Sequence, residues 1–311
     1  MPLPAIAKGA TKNIVRLRSK LFGALLLGSA AFWFLTTPNT LDVVVVAAIT
    51  GDPARGAQIF AIGGCASCHM TKGAKGDDRL RLGGGQEFAT AFGTFIAPNI
   101  SPDLTGIGGW SSYDFANAVL RGVSPSGQHY YPAFPYNSYG RMTVADVVDL
   151  KTFMDSLPAV QQVNTAHDLP LPFRLRRGLG LWKLLFLSDA PIAQTAETRG
   201  QYLVEGPGHC AECHSPRNIL GGIKTSRWLA GAPNPEGKGR IPNITPHTDG
   251  IANWTIDELV YYFETGFTPE FDTAGSTMVE VIENLSALTI QDRTAIARYL
   301  KSIPALPNGA N

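Results

Sequence analysis

The most apolar stretch of the chain lies near its start. Residues 21–36 read LFGALLLGSAAFWFLT, sixteen positions without a charge. As a helix this run would be about 24 Å long at 1.5 Å per residue, against a bilayer core of roughly 30 Å. Five basic residues (Lys8, Lys12, Arg16, Arg18, Lys20) precede it, and the first acid is Asp42. Basic residues before an apolar run predict a membrane-spanning helix with its N-terminus in the cytoplasm. Trp33 and Phe34 suit the outer interface of such an anchor. A cleaved signal peptide is the competing reading, with small residues at Ala47 and Ala48. Either reading exports the rest of the chain.

Two further apolar patterns have helical spacing. Val147, Leu150, Phe153, Met154 and Leu157 form one stripe, and Ile296, Tyr299, Leu300 and Ile303 form another. They belong to a longer self-similarity. Arg55-Gly56 matches Arg199-Gly200, Pro98–Pro102 (PNISP) matches Pro242–Pro246 (PNITP), and Trp110 matches Trp254. Asp146–Ala159 matches Asp292–Ala305. A period this long predicts two homologous domains rather than a solenoid. Each copy runs helix, C-x-x-C-H, Gly/Pro-rich loop, Trp-bearing helix, Met, terminal helix. Gly56 and Gly200 would let the first helix of each copy cross closely under Phe153 or Tyr299. Between the copies, 169–187 (LPLPFRLRRGLGLWKLLFL) mixes arginines with Leu, Trp and Phe. That mixture predicts a linker helix packed across both domains, or a docking surface.

The fold expectation is therefore all-α, with two tandem haem-binding domains behind an N-terminal transmembrane helix. The boundaries are 1–50 for the basic segment and anchor, 51–160 for the first domain, 161–194 for the linker and 195–305 for the second domain.

The chemistry is concentrated in the four cysteines, Cys65-Ala66-Ser67-Cys68-His69 and Cys210-Ala211-Glu212-Cys213-His214. Two thiols one helical turn apart can form thioethers with the two vinyl groups of one porphyrin, and the next residue, His, then lies beneath the iron. Structural disulfides would not require a His after each pair, and a shared zinc ion would need closer ligand pairs. Both motifs predict covalent haem c. Cys65, Cys68, Cys210 and Cys213 would be the attachment points and His69 and His214 the proximal iron ligands.

Met opposite His raises a haem's reduction potential, and the chain has five methionines. In the second copy Met278 is the one candidate. In the first, Met70 adjoins His69 on the proximal side and Met154 lies on an apolar stripe. Met142, just before the terminal helix with Thr143 as its N-cap, is expected to be the ligand. His129 is its competitor.

Composition sharpens this picture. The net charge of +1 leaves −4 for the chain beyond residue 20 (1 − 5), which excludes a broad nucleic-acid-binding surface. The 33 glycines and 22 prolines suit loops wrapped around a prosthetic group. All four cysteines are used, so no free thiol remains. No nucleophile–base constellation or nucleotide-binding fingerprint is present.

With these residues in view, the chain resembles the multi-haem cytochrome c subunits of membrane-bound bacterial alcohol, gluconate and related dehydrogenases. Besides the C-x-x-C-H motifs, the resemblance is carried by APNISPDLTGIGGW (97–110), YPAFPYNSYGRM (131–142), the 169–187 segment and GHCAECHSPRN (208–218). It covers roughly residues 51–304. It implies an electron-transfer subunit, not itself an enzyme, that takes electrons from a periplasmic or membrane-bound dehydrogenase. It also implies a respiratory-chain acceptor (a cytochrome, an oxidase or a quinone), and it supports Met142 and Met278 as distal ligands. The alcohol dehydrogenase subunits carry three haem motifs, and this chain carries two. The placement it implies is the bacterial inner membrane, with haem domains on the periplasmic side. Two alternatives are a dihaem enzyme, of peroxidase or thiosulfate-oxidising type, and a mobile carrier released by signal cleavage. A peroxidase needs an open iron position, and a Cys-ligated thiosulfate site needs a fifth cysteine.

Overall fold

A computed structural model describes residues 6–188, 190–234 and 239–308; the first five residues of the expected basic segment lie outside it. The chain begins with helix α1 (Ile6–Leu35) and the short α2 (Val43–Ala47). The first half then contains α3 (Pro53–Ile62), α4 (Cys65–His69), strands β1 (Glu87–Thr90) and β2 (Gly93–Ile96), α5 (Ser112–Arg121), α6 (Tyr136–Tyr139) and α7 (Val144–Met154). Helix α8 (Leu179–Phe186) lies in the connecting segment. The second half repeats the order with α9 (Arg199–Glu205), α10 (Ala211–His214), β3 (Ala232–Pro233), β4 (Arg240–Ile241), α11 (Ile256–Thr265), α12 (Met278–Ser286) and α13 (Ile290–Ser302).

Local sequence explains the helix boundaries. Asp52 accepts from Ala54 N at 2.8 Å, with Pro53 in the first turn of α3. Ser111 with Asp114 and Thr255 with Glu258 form capping boxes on α5 and α11. Both of these helices stop at a left-handed glycine, Gly122 and Gly266.

Two expectations fail here. The fold is mainly helical rather than all-α, because β1–β2 and β3–β4 form two antiparallel two-stranded sheets. In the first, Phe88, Thr90, Thr94, Phe95 and Ile96 favour extended backbone, and the Ala91-Phe92 turn sets the register Thr90↔Gly93. The transmembrane anchor is also overturned: among the described residues no helix is long and apolar enough to cross a membrane. Helix α1 has 30 residues, but basic residues continue to Lys20. The charge-free remainder, 21–35, would span about 22 Å, short of the roughly 30 Å of a bilayer core. The inner-membrane placement with haem domains on the periplasmic side rested on that span and falls with it.

The close helix crossings are present. A Cβ on Gly56 would lie 2.1 Å from the Asp149 carbonyl oxygen and 2.8 Å from Phe153 Cβ. On Gly200 it would lie 2.0 Å from the Ala295 carbonyl oxygen and 2.8 Å from Tyr299 Cβ. Glycine thus allows α3 to lie against α7, and α9 against α13, at backbone contact. One apolar core runs through both halves, from Ile59, Phe60 and Val147 to Tyr202, Ile296 and Leu300.

Helix α8 acts as the packed linker. Buried Lys183 donates to the carbonyls of Arg121 and Gly122, at 2.6 and 2.7 Å, closing the end of α5. Trp182 donates to the Leu220 carbonyl at 2.9 Å in the second half. Arg177 ties the segment to the end of α1, donating to the Trp33 carbonyl at 2.6 Å and stacking 4.1 Å over the Trp33 ring.

Candidate functional site

Each C-x-x-C-H motif occupies one turn of helix. Cys65 and Cys68 lie within α4, and Cys210 is the N-cap of α10, with Cys213 inside it. The one-turn spacing expected from sequence is met twice. No disulfide joins any of the four cysteines. Cys65 and Cys210 pack against the apolar core, and Cys68 and Cys213 are exposed.

The two histidines are held in the same way. His69 donates through Nδ1 to the Pro98 carbonyl at 2.8 Å, and His214 through Nδ1 to the Pro242 carbonyl at 2.7 Å. This fixes the tautomer, leaving the Nε2 lone pair free to bind a metal. Burial keeps both imidazoles below their ordinary pKa and therefore neutral. Gly84 and Gly231 bring the proline loops close. Their φ angles are 73° and 76°, and their amides donate to the carbonyls of His69 and His214 at 2.8 Å each. A Cβ would meet the Ala97 carbonyl oxygen at 2.5 Å and the Ile241 carbonyl oxygen at 2.8 Å. Asn99 and Asn243 brace the same loops through Asx turns to Ser101 N and Thr245 N. The sequence repeat exposed the PNISP and PNITP loops but not their role as imidazole holders.

The two motifs are neighbours. His209 Nε2 donates to the Gly63 carbonyl at 3.3 Å, and Cys68 and Cys213 are within electrostatic reach of each other. The halves also clasp reciprocally. Ser138, from the segment before α7, donates to Glu212 in the second motif at 2.9 Å. Asn284, from the segment before α13, donates to Ser67 in the first motif at 3.0 Å. An Arg79–Glu283 ion pair adds to this clasp.

The distal candidates differ in placement. Met278 opens α12 and is part-buried against the core. Met142 is 1 % exposed, beside Gly206 in the second half. Met154 is buried on α7, and Met70 caps α4 beside His69. His129 is committed elsewhere, donating through Nε2 to the Thr36 carbonyl at 2.9 Å. Around the first motif stand two aromatics that sequence reasoning did not single out. Tyr139 lies within electrostatic reach of Cys65 and Cys68, and Phe134 lies 5.8 Å from Tyr139, ring to ring.

Comparison with known proteins agrees with this arrangement. The cytochrome c family model matches residues 53–158. A diheme cytochrome c-type protein of Cereibacter sphaeroides is 50% identical over 287 residues, covering 91% of this chain and 96% of the relative. The gluconate 2-dehydrogenase cytochrome c subunit of Pantoea cypripedii is 35% identical, covering 91% of this chain and 64% of its own length. The fructose dehydrogenase cytochrome subunit of Gluconobacter japonicus is 36% identical, covering 81% of this chain and 52% of its own length. With near-full-length identity of 50% to a dihaem protein, and two equivalent C-x-x-C-H sites, the chain belongs to the dihaem c-type cytochromes and carries two covalently attached haems c.

Proposed function

We propose that this cytochrome is an electron-transfer subunit that accepts electrons from a dehydrogenase and delivers them to a respiratory-chain acceptor: a cytochrome, an oxidase or a quinone. Residues 51–160 and 195–305 are the two haem-carrying units, joined by 161–194. Cys65 and Cys68 hold one porphyrin, with His69 beneath its iron; Cys210, Cys213 and His214 do the same for the other. Met278 is the distal ligand of the second iron. Met142, expected from the sequence to serve the first iron, is 1 % exposed and lies at the entry to α7.

The observation that carries this reading is the matched pair of histidines, each oriented by a proline carbonyl, in two motifs that meet at the Gly63–His209 contact. Haem iron, when bound, supplies the one-electron couple. The protein's part is to keep the imidazoles neutral and oriented and to hold each pair of attachment points on one helical turn. A dehydrogenase as donor is supported by two relatives, which are cytochrome subunits of gluconate and fructose dehydrogenases.

The test is purification of the tagged chain from its own host, with identification of what co-purifies. A dehydrogenase whose substrate reduces the haems is the expected result. Haems that stay oxidised with every co-purifying dehydrogenase and its substrate would overturn the reading.

A further inference from the structure

The two halves can be superposed residue by residue through their backbone hydrogen bonds. Gly122 and Gly266 end α5 and α11 (266 − 122 = 144). The bridge Val123↔His129 recurs 144 positions later as Phe267↔Thr273. Tyr130 N donates to the Gly122 carbonyl at 2.8 Å, and Ala274 N to the Gly266 carbonyl at 2.8 Å. In the same register Phe134 N donates to the Tyr131 carbonyl at 3.1 Å, and Met278 N to the Gly275 carbonyl at 3.2 Å. Phe134 is therefore the structural counterpart of Met278.

The second half then gains two residues, lengthening α6 of four residues into α12 of nine. Beyond them the offset is 146. Met142 N donates to the Tyr139 carbonyl at 2.9 Å, and Leu288 N to the Leu285 carbonyl at 3.1 Å. The next residues, Thr143 and Thr289, cap α7 and α13 by accepting from Asp146 N and Asp292 N. Met142 thus stands where Leu288 stands, and both are core residues, 1 % and 5 % exposed. An apolar residue just before an N-cap secures the entry to a helix by packing, and Leu does this without any lone pair.

We propose that the iron of the first haem carries no methionine ligand and offers its distal position to a small π-acceptor ligand of the carbon monoxide class, because Phe134 holds the place of Met278 and Met142 that of Leu288. The proposal rests on the reading of both motifs as haem sites. Other donors are committed or unsuited. His129 is bonded to Thr36, and Tyr139 donates its hydroxyl to the Gly63 carbonyl at 3.3 Å. The aromatic side chains of Phe134 and Tyr139 make the first site apolar, which suits a neutral diatomic ligand. The two irons then differ, one closed by His and Met and one open.

The experiment uses the purified holoprotein and titrates its dithionite-reduced form with carbon monoxide. Haem content is measured on the same sample after alkaline pyridine treatment. Two haems per chain support the haem reading independently of the ligand; fewer than two would fail that reading rather than the ligand assignment. With two haems present, the expected result is one carbon monoxide bound per chain, and a near-infrared methionine–iron band for one haem in the oxidised protein. Phe134→Met should add a second equivalent of that band and suppress carbon monoxide binding. Met142→Leu should change neither. Two equivalents of the band in the unmodified protein, with no carbon monoxide uptake, would overturn the proposal, as would loss of one equivalent in Met142→Leu.

Discussion

His69 donates its Nδ1 proton to the carbonyl oxygen of Pro98 at 2.8 Å. This single contact fixes the tautomer and leaves Nε2 as the nitrogen that would bind an iron. The same relationship joins His214 to Pro242, so the two histidines are held alike. The bond depends on a loop that only glycine can bring so close. Gly84 has a φ of 73°, and a Cβ there would collide with the Ala97 and Pro98 backbone.

Gly84→Ala should therefore push the Pro98 carbonyl away from His69 and destabilise the fold by about 1–3 kcal/mol. The same change should shift the reduction potential of the first haem and leave the second in place. A potentiometric titration resolving two couples checks this. Equal shifts of both couples, or no shift, would count against the local role of Gly84.

Gly56→Ala tests the helix crossing and not the haem loop. The added methyl meets the Asp149 carbonyl at 2.1 Å, so α3 and α7 must separate, at a cost of about 1–3 kcal/mol. Urea denaturation should show a lower midpoint with an unchanged slope. An unchanged midpoint would mean that the crossing is looser than described.

Lys183 closes α5 through two carbonyls from a buried position. Lys183→Met keeps most of the volume but leaves the Arg121 and Gly122 carbonyls without this donor. The expected loss is about 1–3 kcal/mol, measured by the same denaturation. A stability gain would show that burying the ammonium costs more than its bonds return.

His129 gives the fold a pH dependence with a definite sign. It is 3 % exposed. Burial lowers its folded pKa; the bond to the Thr36 carbonyl opposes this, and nearby Lys183 and Arg177 add to the lowering. Below the ordinary histidine value of about 6.5 the unfolded chain takes up a proton that the folded chain does not. Stability from this group is thus full above that pH and is lost as the pH falls below it. Thermal melts from pH 7.5 to 5 should fall more steeply for the wild type than for His129→Gln. Parallel curves would remove His129 as the cause.

Much of this architecture was legible in the residues, but not all of it. The glycine crossings followed from the match of Gly56 and Gly200 and the aromatic stripes of the terminal helices. The capped starts of α7 and α13 followed from Thr143 and the repeat. The β1–β2 hairpin was hidden because all four residues of β1 are exposed, so no apolar alternation marks them. For the anchor, the basic flank and the interfacial Trp33 and Phe34 outweigh, in a reading of residues, a run already short of a bilayer core, yet no described helix is long and apolar enough to cross one. Met142 was singled out by chain order, a Met before a terminal helix. The change of offset from 144 at Trp110 and Trp254 to 146 at Asp146 and Asp292 carries the two-residue difference in the sequence itself, and backbone hydrogen bonds place it between α6 and α12 and align Met142 with Leu288. The roles of Pro98 and Pro242 were invisible for a simpler reason. They act through backbone carbonyls, and the sequence shows only side chains.

Denaturing intact-mass spectrometry shows most directly whether both C-x-x-C-H motifs hold haem covalently. The chain should carry the mass of two haems after unfolding in acid. The double variant Cys210→Ala/Cys213→Ala should retain one haem, and Cys65→Ala/Cys68→Ala likewise one. A mass for the bare polypeptide, or a wild-type chain with one haem that only one of these double variants abolishes, would contradict covalent attachment at both.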